Sequence, residues 1–237
     1  MNAVLRTLVG LSSVCVLASC TVTAPVSETT TGAPATTSEV TNDAFIEKCG
    51  VTFESTKEDV ATLPEDVLEK DAVLVLTTDA GDIPITLHTE QAPCTTAILA
   101  KLATEGFYNN TQCHRMTNEG IYILQCGDPT GSGTGGPGFS FTDEFPVGKE
   151  SGSFYPKGSV AMANAGANTN GSQFFFNYKD SPLPPYYTVF GTVQEPGLEV
   201  LAKVTDPGTA QGEPDGPPKQ PVIITNATVE PLKAASK

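Results

Sequence analysis

The alternation of apolar and polar positions places strands first. Residues 73–78 form an apolar run, residues 79–82 (Asp-Ala-Gly-Asp) have turn chemistry, and residues 83–88 return with Ile83, Ile85 and Leu87 at alternate positions. That pattern predicts a β-hairpin. The period then lengthens: Ala92-Pro93 opens a helix over residues 94–105 with Ile98, Leu99 and Leu102 on one face, and Gly106 stops it. Residues 112–116 and 122–126 read as a second hairpin around residues 117–121. Residues 158–163, 173–178, 187–194 and 222–229 are further strands, residues 198–204 a short helix, and the proline-bearing segments 180–187 and 205–220 loops. Many short strands with two helices predict a mainly β domain, a barrel with helical covers, over residues 71–232.

Ahead of this domain the pattern changes. Residues 8–17 are an apolar run behind the single positive charge of Arg6, the length of a signal-peptide core and too short to span a membrane stably. Leu17-Ala18-Ser19-Cys20 resembles a bacterial lipobox. Residues 1–19 therefore read as a lipoprotein signal peptide, and Cys20 as the lipidated first residue of the mature chain. Residues 20–43 are rich in Thr, Ser, Pro and Ala with little to bury, and read as a disordered tether holding the domain off a membrane. Residues 44–70 carry Phe45, Ile46, Cys49, Val51 and Phe53. They are expected to lie along the domain as an extension without a core of its own.

Composition narrows the function. The chain has 237 residues, 39% of them hydrophobic, and a net charge of −14. Nucleic-acid binding needs basic neutralisation, so this balance argues against it. It also argues against electrostatic attraction to anionic lipid, leaving the lipid anchor as the membrane contact. Residues 131–136 (Gly-Ser-Gly-Thr-Gly-Gly) match G-x-G-x-x-G, but Pro137-Gly138 follows, so no helix begins there to hold a pyrophosphate. With Cys20 lipidated, Cys49, Cys94, Cys113 and Cys126 remain, and four cysteines allow three connectivities. The spacing in the second hairpin favours Cys113 with Cys126 as cross-strand partners, leaving Cys49 to reach Cys94 and tie the extension to the domain. No C-x-x-C occurs and the two histidines are not spaced as ligands, so no metal is expected.

Residues 161–175 form an uncharged stretch of small apolar residues, then amides and glycines, then Phe174-Phe175. Small side chains let a foreign backbone approach, Asn and Gln can hydrogen-bond it, and a Phe supplies a flat wall. Such a site suits a peptide. Within it, MANAGANTNGSQFF closely resembles the central signature of cyclophilin-type peptidyl-prolyl isomerases. His114-Arg115, Gln125-Cys126-Gly127-Asp128 and Val189-Phe190-Gly191 flank it in the family's order, and the resemblance covers residues 73–229.

The resemblance implies a closed eight-stranded antiparallel β-barrel capped by two α-helices, and an isomerase that needs no cofactor. It implies that Arg115 and Gln125 are the catalytic pair and that Asn164 offers backbone groups to the substrate. Ala163, Ala165 and Gln173 would line the groove, with Gly133 at its edge. Phe175 would floor a proline pocket with Tyr122, Ile123 and Leu183. The sequence departs from the family pattern in three places: a loop about two residues longer between Arg115 and Gln125, Tyr122-Ile123 where Phe-Met is common, and Pro182 and Tyr187 at rim positions often filled by Trp and His. With no Trp in the chain, the resemblance no longer implies tight cyclosporin binding, while Tyr187 can still cover the ring. The reading at this point is a monomeric isomerase of exported, proline-containing polypeptides, lipid-anchored on the outer face of the cell membrane. The alternative is a module that binds proline segments without useful turnover.

Overall fold

The structure, a computed structural model, describes residues 42–54, 61–144 and 155–232. Cys20, the apolar run 8–17 and nearly all of the tether lie outside the described residues.

The described chain begins with helix α1 (Asp43–Cys49), which buries Phe45 and Cys49 and ends on Gly50 in the left-handed region, φ 57°. Strand β1 (Thr52–Phe53) follows. The first hairpin is β2 (Ala72–Thr78) and β3 (Gly81–Leu87), with Thr78 paired to Gly81 across two residues. Gly81 has φ 135°, and a Cβ there would lie 2.9 Å from Val200 Cγ2, so both the turn and the helix packed over it require glycine. Helix α2 (Pro93–Thr104) buries Ile98, Leu99 and Leu102. The amides of Cys94 and Thr95 donate to the Glu144 carboxylate at 3.0 and 2.8 Å, so its N-terminus is capped from fifty residues away rather than by its own N-cap. At its other end Gly106, at φ 75°, donates to Ala103 O and Phe107 N to Leu102 O, a Schellman closure.

Short strands β4 (Thr111–Gln112), β5 (Arg115–Thr117) and β6 (Ile123–Cys126) come next, then β7 (Phe139–Ser140), β8 (Ser159–Met162), β9 (Phe174–Asn177) and β10 (Val189–Val193). Helix α3 (Glu195–Thr205), strand β11 (Asp215–Gly216) and the long β12 (Ile223–Pro231) follow. Ten strands form one sheet in the order β11-β5-β6-β9-β8-β10-β3-β2-β12-β4, and β1 pairs with β7 in a separate two-stranded ladder. The expected closed eight-stranded barrel with two helices is therefore corrected, among the described residues, to a curled, open ten-stranded sheet with three helices. Among the described residues no ladder joins its edge strands β11 and β4. The physical reason lies in one segment. Residues 111–117 split their pairing, Gln112 against Ile223 and Arg115 against Gln125, with Cys113-His114 as the crossover.

The main core lies on the inner face of this sheet. Met116, Leu124, Phe176 and Val160 stand in one transverse register across β5, β6, β9 and β8, and all four are fully buried. Phe174 meets Tyr108, Phe176 and Phe190 edge-on at 5.7, 5.5 and 6.2 Å, the favoured geometry for aromatic pairs. Phe45, Val51 and Leu63 of the extension join the same cluster. The expected disulfides are present: Cys49 Sγ lies 2.05 Å from Cys94 Sγ, and Cys113 Sγ 1.96 Å from Cys126 Sγ.

Candidate functional site

Side chains alternate along strands, so the residues between those of the inner row face the other way. They too fall into register: Arg115 opposite Gln125, Gln125 opposite Phe175, Phe175 opposite Ala161, and Ala161 opposite Val189. One outward row on five adjacent strands thus runs from a cation through an amide to an aromatic ring and two small apolar groups.

The apolar end of the row is a second, smaller cluster of Ile123, Tyr155, Ala161, Phe175, Leu183 and Val189, with Ile121, Ala163 and Tyr187 packed at its edge. Tyr187 stands edge-on to Phe175 at 5.3 Å. Tyr155, absent from the sequence-based set, is buried behind them, 6.3 Å from Phe175 and 6.1 Å from Tyr187. Its hydroxyl is shared between Tyr187 O at 3.1 Å and Pro184 O at 3.2 Å and accepts from Tyr187 N, pinning the proline-rich rim loop. Tyr122 does not join Phe175 as expected. Its ring packs against Tyr178 at 6.0 Å and beneath Lys179 Nζ. Ile121 takes the place expected for it, because Ile121 and Ile123 share a face and Tyr122 points to the opposite one. Pro182 is exposed on the rim.

The polar end is a directed chain of hydrogen bonds. Arg115 Nη1 donates to Gln125 Oε1 at 3.3 Å, Gln125 Nε2 to Gln173 Oε1 at 2.9 Å, and Gln173 Nε2 to the carbonyls of Gly133 at 3.1 Å and Gly135 at 2.9 Å. The guanidinium also donates from Nε and Nη2 to the two Asp215 oxygens, at 2.8 and 2.7 Å. That hydrogen-bonded pairing raises Arg115 further above the range of ordinary pH and holds the Asp215 carboxyl below the usual carboxylate range. Sequence reasoning missed Asp215 because it sits in a Gly/Pro segment with no periodicity to give β11 away. His114, beside Arg115, is held below its ordinary value by burial.

Gln125, Gly133, Ala163, Asn164, Ala165 and Gln173 line a cavity of about 520 Å³, and Glu54 from the extension lines it too. The Asn164 side chain is committed, donating to Tyr186 O at 2.9 Å and accepting from Gly166 N. Its main-chain N–H and C=O have no hydrogen-bond partner among the described residues. Ala165 N is occupied by Thr169 Oγ1. The glycine-rich loop turns its amides inward: Thr130 N and Gly133 N donate to the buried Asp128. Burial alone would raise that carboxyl, but the hydrogen bonds from Thr130, Gly135 and Gly133 outweigh it and leave it lowered. Those amides are spent on an internal carboxylate, so this loop offers no phosphate cradle.

Comparison with known proteins agrees with this geometry. The family described as cyclophilin type peptidyl-prolyl cis-trans isomerase/CLD matches residues 73–229. The chain is 46% identical over 164 residues to a probable peptidyl-prolyl cis-trans isomerase B of Mycobacterium tuberculosis, covering 65% of this chain and 53% of that protein. It is 46% identical over 167 residues to the Mycobacterium leprae protein of the same name, covering 67% and 55%. The chain thus spans about half the length of these curated relatives. A crystal structure of a Cryptosporidium parvum cyclophilin type peptidyl-prolyl cis-trans isomerase superposes with a TM-score of 0.59 at 30% identity, covering 69% of this chain and 100% of that one. A second structure of that protein, in the presence of the dipeptide Ala-Pro, gives 0.57 at 31%, covering 68% and 99%.

Proposed function

This chain belongs to the cyclophilin-type peptidyl-prolyl isomerase family, and from that premise we propose that it accelerates cis–trans rotation of X–Pro bonds in exported polypeptides. The barrier to that rotation, about 18–20 kcal/mol, arises from the partial double bond of the amide, and uncatalysed exchange takes tens to hundreds of seconds, on the order of a slow folding step. No covalent bond need break. Twisting the amide localises a lone pair on the proline nitrogen, and a donor aimed there is worth more in the twisted state than in either planar one, which is the condition for catalysis.

The observation that carries this reading is the outward row. Phe175, with Tyr187, Ile123 and Leu183 about it, supplies an apolar seat for a pyrrolidine ring. Arg115 stands two strands away behind Gln125, as a donor that keeps its proton at any working pH. Gln125 is tied to both Arg115 and Gln173, so it fixes the cation and presents an amide to the carbonyl that rotates. The main chain of Asn164, without a hydrogen-bond partner among the described residues, is suited to hold an extended peptide alongside.

In a protease-coupled assay on an X–Pro peptide, the protein should raise the cis-to-trans rate above the uncatalysed one, with kcat/KM flat between about pH 6 and 9. The sign follows from each group. Arg115 is raised, so it stays charged above this window; Asp215 is lowered, so it stays ionised below it. His114 is lowered by burial, which moves its titration away from the middle of this window toward acid. A bell-shaped profile centred in that range contradicts the mechanism. Binding of proline peptides with no acceleration makes the chain a binding module instead.

The export reading rests on residues 1–20. We place the mature protein on the outer face of the cell membrane through lipid on Cys20, because the apolar run ends in Leu17-Ala18-Ser19-Cys20. Cys20→Ala should leave the precursor unlipidated and uncleaved at this position by mass spectrometry. A variant processed and membrane-bound like the wild type refutes the anchor.

A further inference from the structure

Asp215 is the feature of the site that the family resemblance did not supply. Its position is built rather than incidental. Residues 206–219 fold back on themselves: Ala210 N donates to Pro217 O at 2.8 Å, Lys219 N to Gly208 O at 2.9 Å, and Thr209 bridges Pro218. Asn118 N donates to Pro214 O at 3.0 Å. Four prolines, Pro207, Pro214, Pro217 and Pro218, stiffen the segment further. The result is β11, one of the two edge strands of the sheet, with Asp215 opposite Thr117 and Gly216 opposite Met116. Asp215 is therefore the diagonal neighbour of Arg115, within reach on the face of the outward row.

The contact is a side-on fork, Nε to Oδ1 at 2.8 Å and Nη2 to Oδ2 at 2.7 Å. Both side chains are substantially exposed, at 42% and 52%, and ion pairs that wet add little to folding stability. What the fork does supply is orientation. A planar guanidinium that donates two bonds to Asp215 and one to Gln125 has its plane fixed. One N–H on Nη1 and one on Nη2 remain for a bound peptide. Without Asp215 the same side chain has several rotatable bonds and a single long bond, 3.3 Å, to Gln125, so it spends only part of its time in any one orientation.

We propose that Asp215 is a positioning residue that holds the Arg115 guanidinium in the orientation needed at the proline nitrogen. The proposal rests on the isomerase reading above. Its test compares wild type, Asp215→Ala and Asp215→Glu by NMR exchange measurements on an X–Pro peptide, which separate kcat from KM. Asp215→Ala should lose about tenfold in kcat with KM nearly unchanged, less than the hundredfold that an ångström of misplacement can cost. Asp215→Glu should recover part of the loss. The second readout is the Arg115 Nε–H resonance: hydrogen-bonded to Asp215 in the wild type, it should exchange faster in Asp215→Ala, and a kcat loss that accompanies this while the unfolding midpoint barely shifts is what a purely structural role would not give. Turnover in Asp215→Ala equal to or faster than the wild type overturns the proposal alone. Failure of the wild type itself to accelerate the peptide overturns the isomerase reading and the proposal with it.

Discussion

Arg115→Ala should lower kcat/KM on an X–Pro peptide by about 10² to 10³-fold, the loss seen when a preorganised donor is removed from a site of developing charge. In free energy that is roughly 3–4 kcal/mol of transition-state stabilisation. The fold should tolerate the change. Arg115 lies on the outward face of β5, its side chain is 42% exposed, and its partners Asp215 and Gln125 both retain access to water. The inner row that holds β5 in place, Met116 against Leu124, is untouched. Arg115→Lys keeps the charge but loses the planar fork that both Asp215 and Gln125 engage, so it should recover little of the activity. A variant without Arg115 that turns over as fast as the wild type would remove the cation from the mechanism, whatever the resemblance implies. The assay must be read beside a circular dichroism spectrum, since an unfolded variant would mimic the expected loss.

The parts of this site that could be read from sequence are those that obey a local period. Ile83, Ile85 and Leu87 alternate and are buried, and Gly106 ends α2 in the left-handed conformation that only glycine adopts easily. The outward row follows the same rule, since Gln125 and Phe175 sit between inward neighbours, Leu124 and Cys126, Phe174 and Phe176. Tyr122 shows the cost of setting the period aside. Alternation puts Ile121 and Ile123 on one face and Tyr122 on the other, and the structure agrees; the family's positions suggested otherwise. Two-residue strands have no period to detect. β1, β4, β7 and β11 exist because distant backbone groups are brought alongside them, as when Glu54 N finds Gly138 O and Ala61 N finds Pro137 O. For the same reason Glu144 could not be recognised as the cap of α2, nor Asp215 as the partner of Arg115, a hundred residues away. The open sheet follows from the crossover at Cys113-His114, which a strand read continuously over residues 112–116 conceals.

Of the two disulfides, loss of Cys49–Cys94 should cost more stability. Its sequence separation is 45 residues against 13 for Cys113–Cys126, and in the chain-entropy account closing the longer loop restrains the unfolded chain by about 4 kcal/mol rather than about 3. The shorter bridge also joins strands already paired through His114 N to Gln125 O, so its removal leaves the hairpin hydrogen-bonded. The longer one ties an extension held by fewer ladders: α1 buries Phe45, Thr142 donates from N and Oγ1 to Cys49 O at 3.2 and 3.0 Å, and β1 pairs with two residues of β7. Phe45, Val51 and Leu63 nonetheless complete the main core, so freeing the extension exposes that core from one side. Cys49→Ser/Cys94→Ser should therefore lower Tm by on the order of 10 °C, the shift that about 4 kcal/mol produces in a domain of this size. The amides of Cys49, Val51 and Glu54 should lose protection from hydrogen exchange before the strands of the outward row do. Because Glu54 lines the groove cavity, affinity for a long peptide should weaken while kcat on a short X–Pro substrate stays close to the wild type. A Tm within a degree or two of the wild type would mean that packing alone holds the extension in place. Fast, global loss of protection would mean that the extension and the sheet unfold as one cooperative unit.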